Sequence, residues 1–156
     1  HDIYFSYRAG SWGWATWTDR WSSVDWKVAD YEEFKADKRA RMKFAKGGRD
    51  MPKMLDSQMQ HKIDSWAIRF CYSQFKQQKL SVYPVKSKIR NTGLDGSGTH
   101  SGSTSKFDVD LDRGDAKEFA FISPKANWRI IRNFRNFYSP FFKFYIGKFL
   151  RFIKAL

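Results

Sequence analysis

The chain is poor in cysteine: Cys71 stands alone in 156 residues, and there are four prolines. A lone cysteine excludes an internal disulfide framework and the zinc ribbons built on paired cysteines, and it fits a reducing compartment. Long apolar runs are missing too, since nothing approaches the roughly 18 consecutive apolar residues of a membrane-spanning helix. There is no P-loop and no G-x-G-x-x-G, because Gly93, Gly96, Gly98 and Gly102 are irregularly spaced and open no helix. No G-x-S-x-G elbow marks a hydrolase nucleophile. A calcium loop counted from Asp108 fails twice, with Arg113 and Phe119 where Gly and Glu belong, so an exposed acidic turn is the simpler reading. The chain opens on His1 with no signal-peptide pattern, so its start reads as a processed end or a cut.

Acidic residues run out before the chain does. Of the formal charge of +13, eight units lie in Phe119–Leu156, which contains no Asp or Glu, leaving +5 on residues 1–118. An excess of this kind needs an anionic surface or polymer as partner. What is abundant is aromatic: 15 Phe, 7 Tyr and 7 Trp make 19% of the chain, within 42% apolar residues, enough to exclude wholesale disorder. The length suits one domain or part of a larger one.

Along the chain, residues 1–26 carry five tryptophans and little charge. Ala29–Lys46 predicts an amphipathic helix with Tyr31, Phe34, Lys38 and Met42 on one stripe, closed by Gly47-Gly48. Asp56–Lys79 predicts the central helical region, with Ile63, Trp66, Ala67, Phe70 and Cys71 on the buried face. Leu80–Pro84 and Val85–Arg90 predict short strands. Asn91–Ser105, rich in Gly, Ser and Thr, predicts a mobile loop. Phe107–Glu118 is acidic and turn-like, and helices are expected over Ala126–Tyr138 and Pro140–Ala155, with Ser139-Pro140 as cap and first residue. The fold class is therefore α/β, with residues 1–118 as the body and 119–156 as a basic, aromatic, helical tail.

Few residues offer chemistry. Cys71 lies on an apolar helical face and reads as core. Asp64, at a helix start, reads either as a capping carboxylate or as a functional acid, and His100 as a solvated loop histidine or a ligand. In Ser11-Trp12-Gly13-Trp14-Ala15-Thr16-Trp17 the indoles either pack as core or stack on a sugar or base. In the tail, Ile131, Phe134, Tyr138, Phe141, Tyr145, Phe149 and Phe152 recur at spacings of three and four among Arg and Lys. That face either packs on the body or lies on an anionic membrane. Nucleic acid ranks last, because no recognised nucleic-acid module accompanies the charge.

Four segments then occur in series: Gly13-Trp14-Ala15-Thr16-Trp17 with Trp21, Asp64-Ser65-Trp66-Ala67, Leu80-Ser81-Val82-Tyr83-Pro84, and Asn91-Thr92-Gly93-Leu94-Asp95-Gly96-Ser97-Gly98-Thr99-His100. Over roughly residues 10–105 the chain resembles the carboxy-terminal half of bacterial GT-A, family-2-like nucleotide-sugar glycosyltransferases, and more distantly the N-acetylglucosaminyltransferase I family. The resemblance implies the acceptor-side half of a GT-A fold, with a few short strands, several helices and an amphipathic helical tail. It implies Asp64 as catalytic base. Trp14, Trp17, Asn91, Gly93, Gly96, Ser97 and Gly98 would bind donor or acceptor, and His100 would bind a divalent metal (Mn or Mg) or the diphosphate. The family's nucleotide-binding half precedes the G-W-A-T-W segment, whereas here only twelve residues do. Asp108-Val109-Asp110 spells the metal motif D-x-D, but it lies after the loop and takes no metal role.

The expectation is thus a fragment of an inverting glycosyltransferase, inactive alone, taking a nucleotide-sugar donor and a glycan or lipid-linked acceptor in surface polysaccharide or lipopolysaccharide synthesis. It would be cytoplasmic and peripheral on the inner face of the membrane, held there by residues 126–156. The alternative is a non-catalytic cationic module that binds membrane or nucleic acid, with its tryptophans serving only as core.

Overall fold

The computed structural model describes residues 2–97, 103–112, 114 and 118–139. The expected helix Pro140–Ala155 lies outside them. Mixed helices surround one small sheet, in chain order β1 (Ile3–Ser6), α1 (Thr18–Ser22), α2 (Tyr31–Ala36), α3 (Lys38–Phe44), a 3-10 turn at Ala45–Gly47, α4 (Met51–Met59), α5 (Trp66–Lys76), β2 (Ser81–Pro84) and α6 (Trp128–Phe137). Among the described residues no helix is long and apolar enough to cross a membrane.

The sheet is an antiparallel pair in which Ile3 faces Pro84, Tyr4 faces Tyr83, Phe5 faces Val82 and Ser6 faces Ser81. The β2 half was expected; β1, within the first six residues, was not. Tyr4 and Tyr83 stack across the pair with centroids 5.3 Å apart, the kind of cross-strand contact that sets register. The strand expected over Val85–Arg90 does not form. That stretch makes one isolated parallel bridge, Ser87 to Leu111, flanked by the Lys88–Asp112 ion pair at 2.6 Å.

The helix expected over Ala29–Lys46 is two helices. Asp37 adopts an extended backbone and its side chain accepts from the amides of Arg39 and Ala40 at 2.8 and 3.0 Å, ending α2 and capping α3. The break turns the stripe. Tyr31 and Phe34 stay buried, but Lys38 and Met42 turn out, Met42 being 65% exposed, and Phe44 enters the core instead. The Asp56–Lys79 region likewise divides, into α4 and α5, across residues 60–65.

The core is built by Val28, Tyr31, Phe34, Phe44, Met51, Leu55, Ile68, Cys71 and Tyr72. Phe34 meets Tyr72 and Phe44 edge-on at 4.8 and 5.6 Å, a favoured aromatic arrangement. On α5 the buried stripe is Ile68, Cys71 and Tyr72. Of the face expected there only Cys71 is fully buried, and Ile63 is exposed. Gly47 lets the exit of β1 pass close by, since a Cβ there would stand 3.0 Å from the Tyr7 carbonyl.

The packing does not end at residue 118. Asn127 caps α6 by accepting from the Arg129 amide at 2.8 Å. Phe134 then meets Tyr4 and Tyr83, each at 6.2 Å, while Phe137 meets Phe107 at 5.5 Å. Lys106 Nζ donates to the Phe137 carbonyl at 2.7 Å. The first turns of the expected tail therefore belong to the body.

Candidate functional site

Asp64 sits just before α5, and Ser65, not Asp64, caps that helix, its Oγ accepting from the Ile68 amide at 3.4 Å. The Ser65 amide in turn donates to Gln58 Oε1 at 2.5 Å, tying the cap to α4. Released from capping, the Asp64 side chain is 98% exposed, and its Oδ1 lies 3.9 Å from Arg69 Nη2. Among the described residues no hydrogen bond reaches its carboxylate.

The helix start carries Trp66 and, one turn on, Phe70. These two side chains, which a helical template assigns to the core, instead join indoles from the first 26 residues. Trp14 meets Trp66 at 4.7 Å, Phe70 at 5.4 Å and Trp21 at 5.8 Å, and Trp21 meets Trp26 at 4.5 Å. The result is a half-open aromatic wall next to Asp64. Arg69 lies between wall and carboxylate: Nη1 donates to the Trp26 carbonyl at 3.3 Å, and the guanidinium carbon lies 5.8 Å from the Trp26 ring. Its Nε is buried with no hydrogen-bond partner among the described residues. Trp17 stays apart from the wall, 70% exposed, with Arg20 5.8 Å from its ring.

The Trp12–Trp14 segment also reaches the chain on either side of the Asn91–Ser105 loop. Gly13 has φ +53, and a Cβ there would lie 2.6 Å from Ile89 Cγ2, two residues before the loop. Trp12 packs edge-on against Phe107, two residues after it, at 5.3 Å. Gly10 approaches β2 in the same manner, and Tyr83 Oη donates to the Arg8 carbonyl at 2.9 Å. The chain between Arg8 and Trp14 thus meets Trp66 and Tyr83, and it touches the residues that flank the loop.

Within the described part of the loop, local hydrogen bonds build turns. Leu94 is buried, and its carbonyl accepts from the Thr104 amide at 2.9 Å, closing the loop on itself. Asn91 Oδ1 accepts from the Gly93 amide at 2.9 Å, and Asp95 Oδ1 accepts from the Ser97 amide and hydroxyl at 2.9 and 2.6 Å. Those two hydrogen bonds from Ser97 hold the Asp95 carboxyl below its usual range. Gly96 takes φ +103 between them, a left-handed position that suits glycine. Asn91 and Ser97 are therefore turn-builders in this state. Gly98 and His100 lie outside the described residues.

Among the described residues no three His, Cys, Asp or Glu side chains converge as metal ligands. Asp112 is held by Lys88, and Asp108 and Asp110 are exposed. Cys71 is core: burial pushes its thiol up, against the opposing contact with the Ala9 backbone, which makes it a poor nucleophile. A groove of about 660 Å³ lies elsewhere, between α2–α3 and the end of α5. Of its acids Asp30, Glu33 and Asp37, Asp30 is taken by Lys76 and Tyr72 and Asp37 caps α3.

Sequence reasoning placed Asp64 and Trp14 at this site but missed Trp21, Trp26, Trp66, Phe70 and Arg69 as its surroundings. The available signal was the i, i+4 pair Trp66 and Phe70 two residues after an acid, with Arg69 between them. Compared with known proteins, the chain matches no family model, no curated protein and no solved structure.

Proposed function

We propose that the chain is the acceptor side of an inverting glycosyltransferase of the GT-A, family-2-like kind, acting with a nucleotide-binding half supplied from outside these 156 residues. It would pass a sugar from a nucleotide-sugar donor to a hydroxyl of a glycan or lipid-linked acceptor, in the assembly of a surface polysaccharide or lipopolysaccharide. The observation that carries this reading is the open carboxylate of Asp64 beside the wall of Trp14, Trp21, Trp26, Trp66 and Phe70. Indole faces accept the C–H faces of a sugar ring, and a carboxylate beside them accepts a hydrogen bond from its hydroxyl.

In this proposal Asp64 takes the acceptor hydroxyl proton as that oxygen bonds to the anomeric carbon. The bond from that carbon to the leaving diphosphate breaks on the opposite face, and the diphosphate departs with the electron pair. One positioned carboxylate meets that need, whereas a retaining glycosidase needs two. Arg69, whose Nη2 lies 3.9 Å from Asp64 Oδ1, is the cation that faces the carboxylate before the acceptor arrives. The donor's diphosphate, with the divalent cation (Mn or Mg) that would accompany it, is assigned to the nucleotide-binding half and the Asn91–Ser105 loop, whose Gly93, Gly96, Ser97, Gly98 and His100 are the proposed donor-binding residues. The enzyme works at the inner face of the cytoplasmic membrane as a peripheral protein, a reading supported by the charge of +13.

The test is Asp64→Asn in the enzyme that carries both halves. Turnover should fall by a factor on the order of 10² or more, the usual contribution of positioned proton transfer, with donor binding unchanged. Near-normal kcat would remove Asp64 from the mechanism.

A further inference from the structure

Helix α6 divides into two faces. Ile130, Ile131, Phe134, Arg135 and Phe137 are partly covered, whereas Trp128, Arg129, Arg132, Asn133 and Asn136 are all exposed. At 3.6 residues per turn, the exposed five fall within one arc of about 140°. The aromatic stripe that the sequence offers to a membrane is thus turned inward at Phe134, onto Tyr4 and Tyr83, and at Tyr138, onto Phe107 and Arg8.

What faces outward is different chemistry. Trp128 is 61% exposed, with the guanidinium carbon of Arg132 5.0 Å from its ring and that of Arg129 at 5.5 Å. Neither arginine meets a carboxylate among the described residues, and the sequence from Phe119 onward contains none. An indole is amphipathic and settles at the headgroup level of a bilayer. Arginines leaning over it keep their stems on the ring while the guanidinium groups reach phosphate. Asn133 and Asn136 complete the face with no negative charge to repel an anionic leaflet.

We infer that this outward face of α6, with Trp128 between Arg129 and Arg132, is the surface by which the protein docks on an anionic lipid leaflet. The inference rests on the peripheral-membrane reading above and names the residues that perform it. It orients the helix along the membrane plane, with the Phe134 side toward the body and the Trp128 side toward lipid.

The experiment is co-sedimentation of the whole chain with vesicles of phosphatidylcholine alone and of an equal mixture with phosphatidylglycerol. The parent should bind the mixed vesicles only, and added salt should weaken binding as exposed charges are screened. Changing Trp128→Ser, Arg129→Gln and Arg132→Gln together should lower affinity for the mixed vesicles roughly tenfold or more, without moving the melting temperature, because all three side chains are exposed. Arg129→Lys with Arg132→Lys should bind like the parent, and Arg132→Glu alone should weaken binding if the triple variant is poorly folded. A parent that binds no vesicle overturns both the peripheral reading and this inference. A parent that binds, with a triple variant that binds equally well, overturns this inference alone. Trp128-dependent binding to duplex DNA without vesicle binding overturns it in favour of nucleic acid.

Discussion

The Tyr138 ring lies 3.8 Å from the guanidinium carbon of Arg8, which is itself locked to Asp50 through two hydrogen bonds of 2.9 and 3.1 Å. The Asp50 amide donates to the Tyr138 carbonyl at 3.2 Å, closing a ring of contacts between the exit of β1, the start of α4 and the end of α6. Both side chains of the ion pair are largely covered, at 15% and 26% exposure. This latch is why the beginning of the basic tail is part of the body.

Arg8→Met should therefore leave the Asp50 carboxylate covered and unpaired, costing about 3 kcal/mol. For a chain of this length the melting temperature should drop by roughly 6–12 °C. Amide exchange should rise in α6 before it rises in α5. Adding Asp50→Leu should restore part of the loss, because it removes the stranded charge. An unchanged melting temperature in Arg8→Met would show that α6 is held by its aromatics alone.

Acid should weaken the packing of α3 on α4. Hydrogen bonds from Arg41 hold the Asp56 carboxyl below its ordinary value of 3.8, against the upward push of burial. A carboxyl lowered in the folded state gives stability that is present above 3.8 and lost as pH falls through the lowered folded value. Asp56→Asn should be less stable than the parent at pH 7, and the gap in melting temperature should close as the pH is taken below about 4. A gap that stays constant down to acid pH would mean that the Arg41 contact contributes nothing.

Gly13 lies between Trp12 and Trp14 with φ +53 and Ile89 against it. Gly13→Ala should cost about 1–2 kcal/mol from the left-handed backbone alone, plus whatever Ile89 loses in moving aside. Ile89→Ala in the Gly13→Ala background should recover the steric part only. Chemical denaturation of the parent and the two variants separates the two contributions, and a Gly13→Ala chain as stable as the parent would contradict the geometry.

Parts of this fold were legible in the sequence because the signal was local. β2 has its β-formers in a row, and α6 has Asn127 to cap it and a long amphipathic run. β1 was not legible: its four residues become a strand only by pairing with residues some eighty positions away. The break at Asp37 was missed because a capping carboxylate inside a helical pattern competes with that pattern only through backbone geometry. On α5, apolar residues surround the helix, so periodicity could not choose between Ile68–Cys71–Tyr72 and Trp66–Phe70. Tertiary partners chose, since the indoles of residues 14–26 claimed the second pair. Asp64 and Trp14 were singled out from the order of short segments; Arg69 was not, because a helical arginine ordinarily reads as solvated.

The central claim, that the wall beside Asp64 receives a saccharide, is tested most directly by following indole Nε1–H signals of the chain during titration with neutral oligosaccharides such as cellobiose, maltose and diacetylchitobiose. The account predicts saturable shifts at Trp14, Trp21, Trp26 or Trp66 and at the Asp64 amide, lost in Trp66→Ala, with Trp128 unmoved. No saturable shift at the wall with any of these sugars, or equal shifts at Trp128, would contradict it.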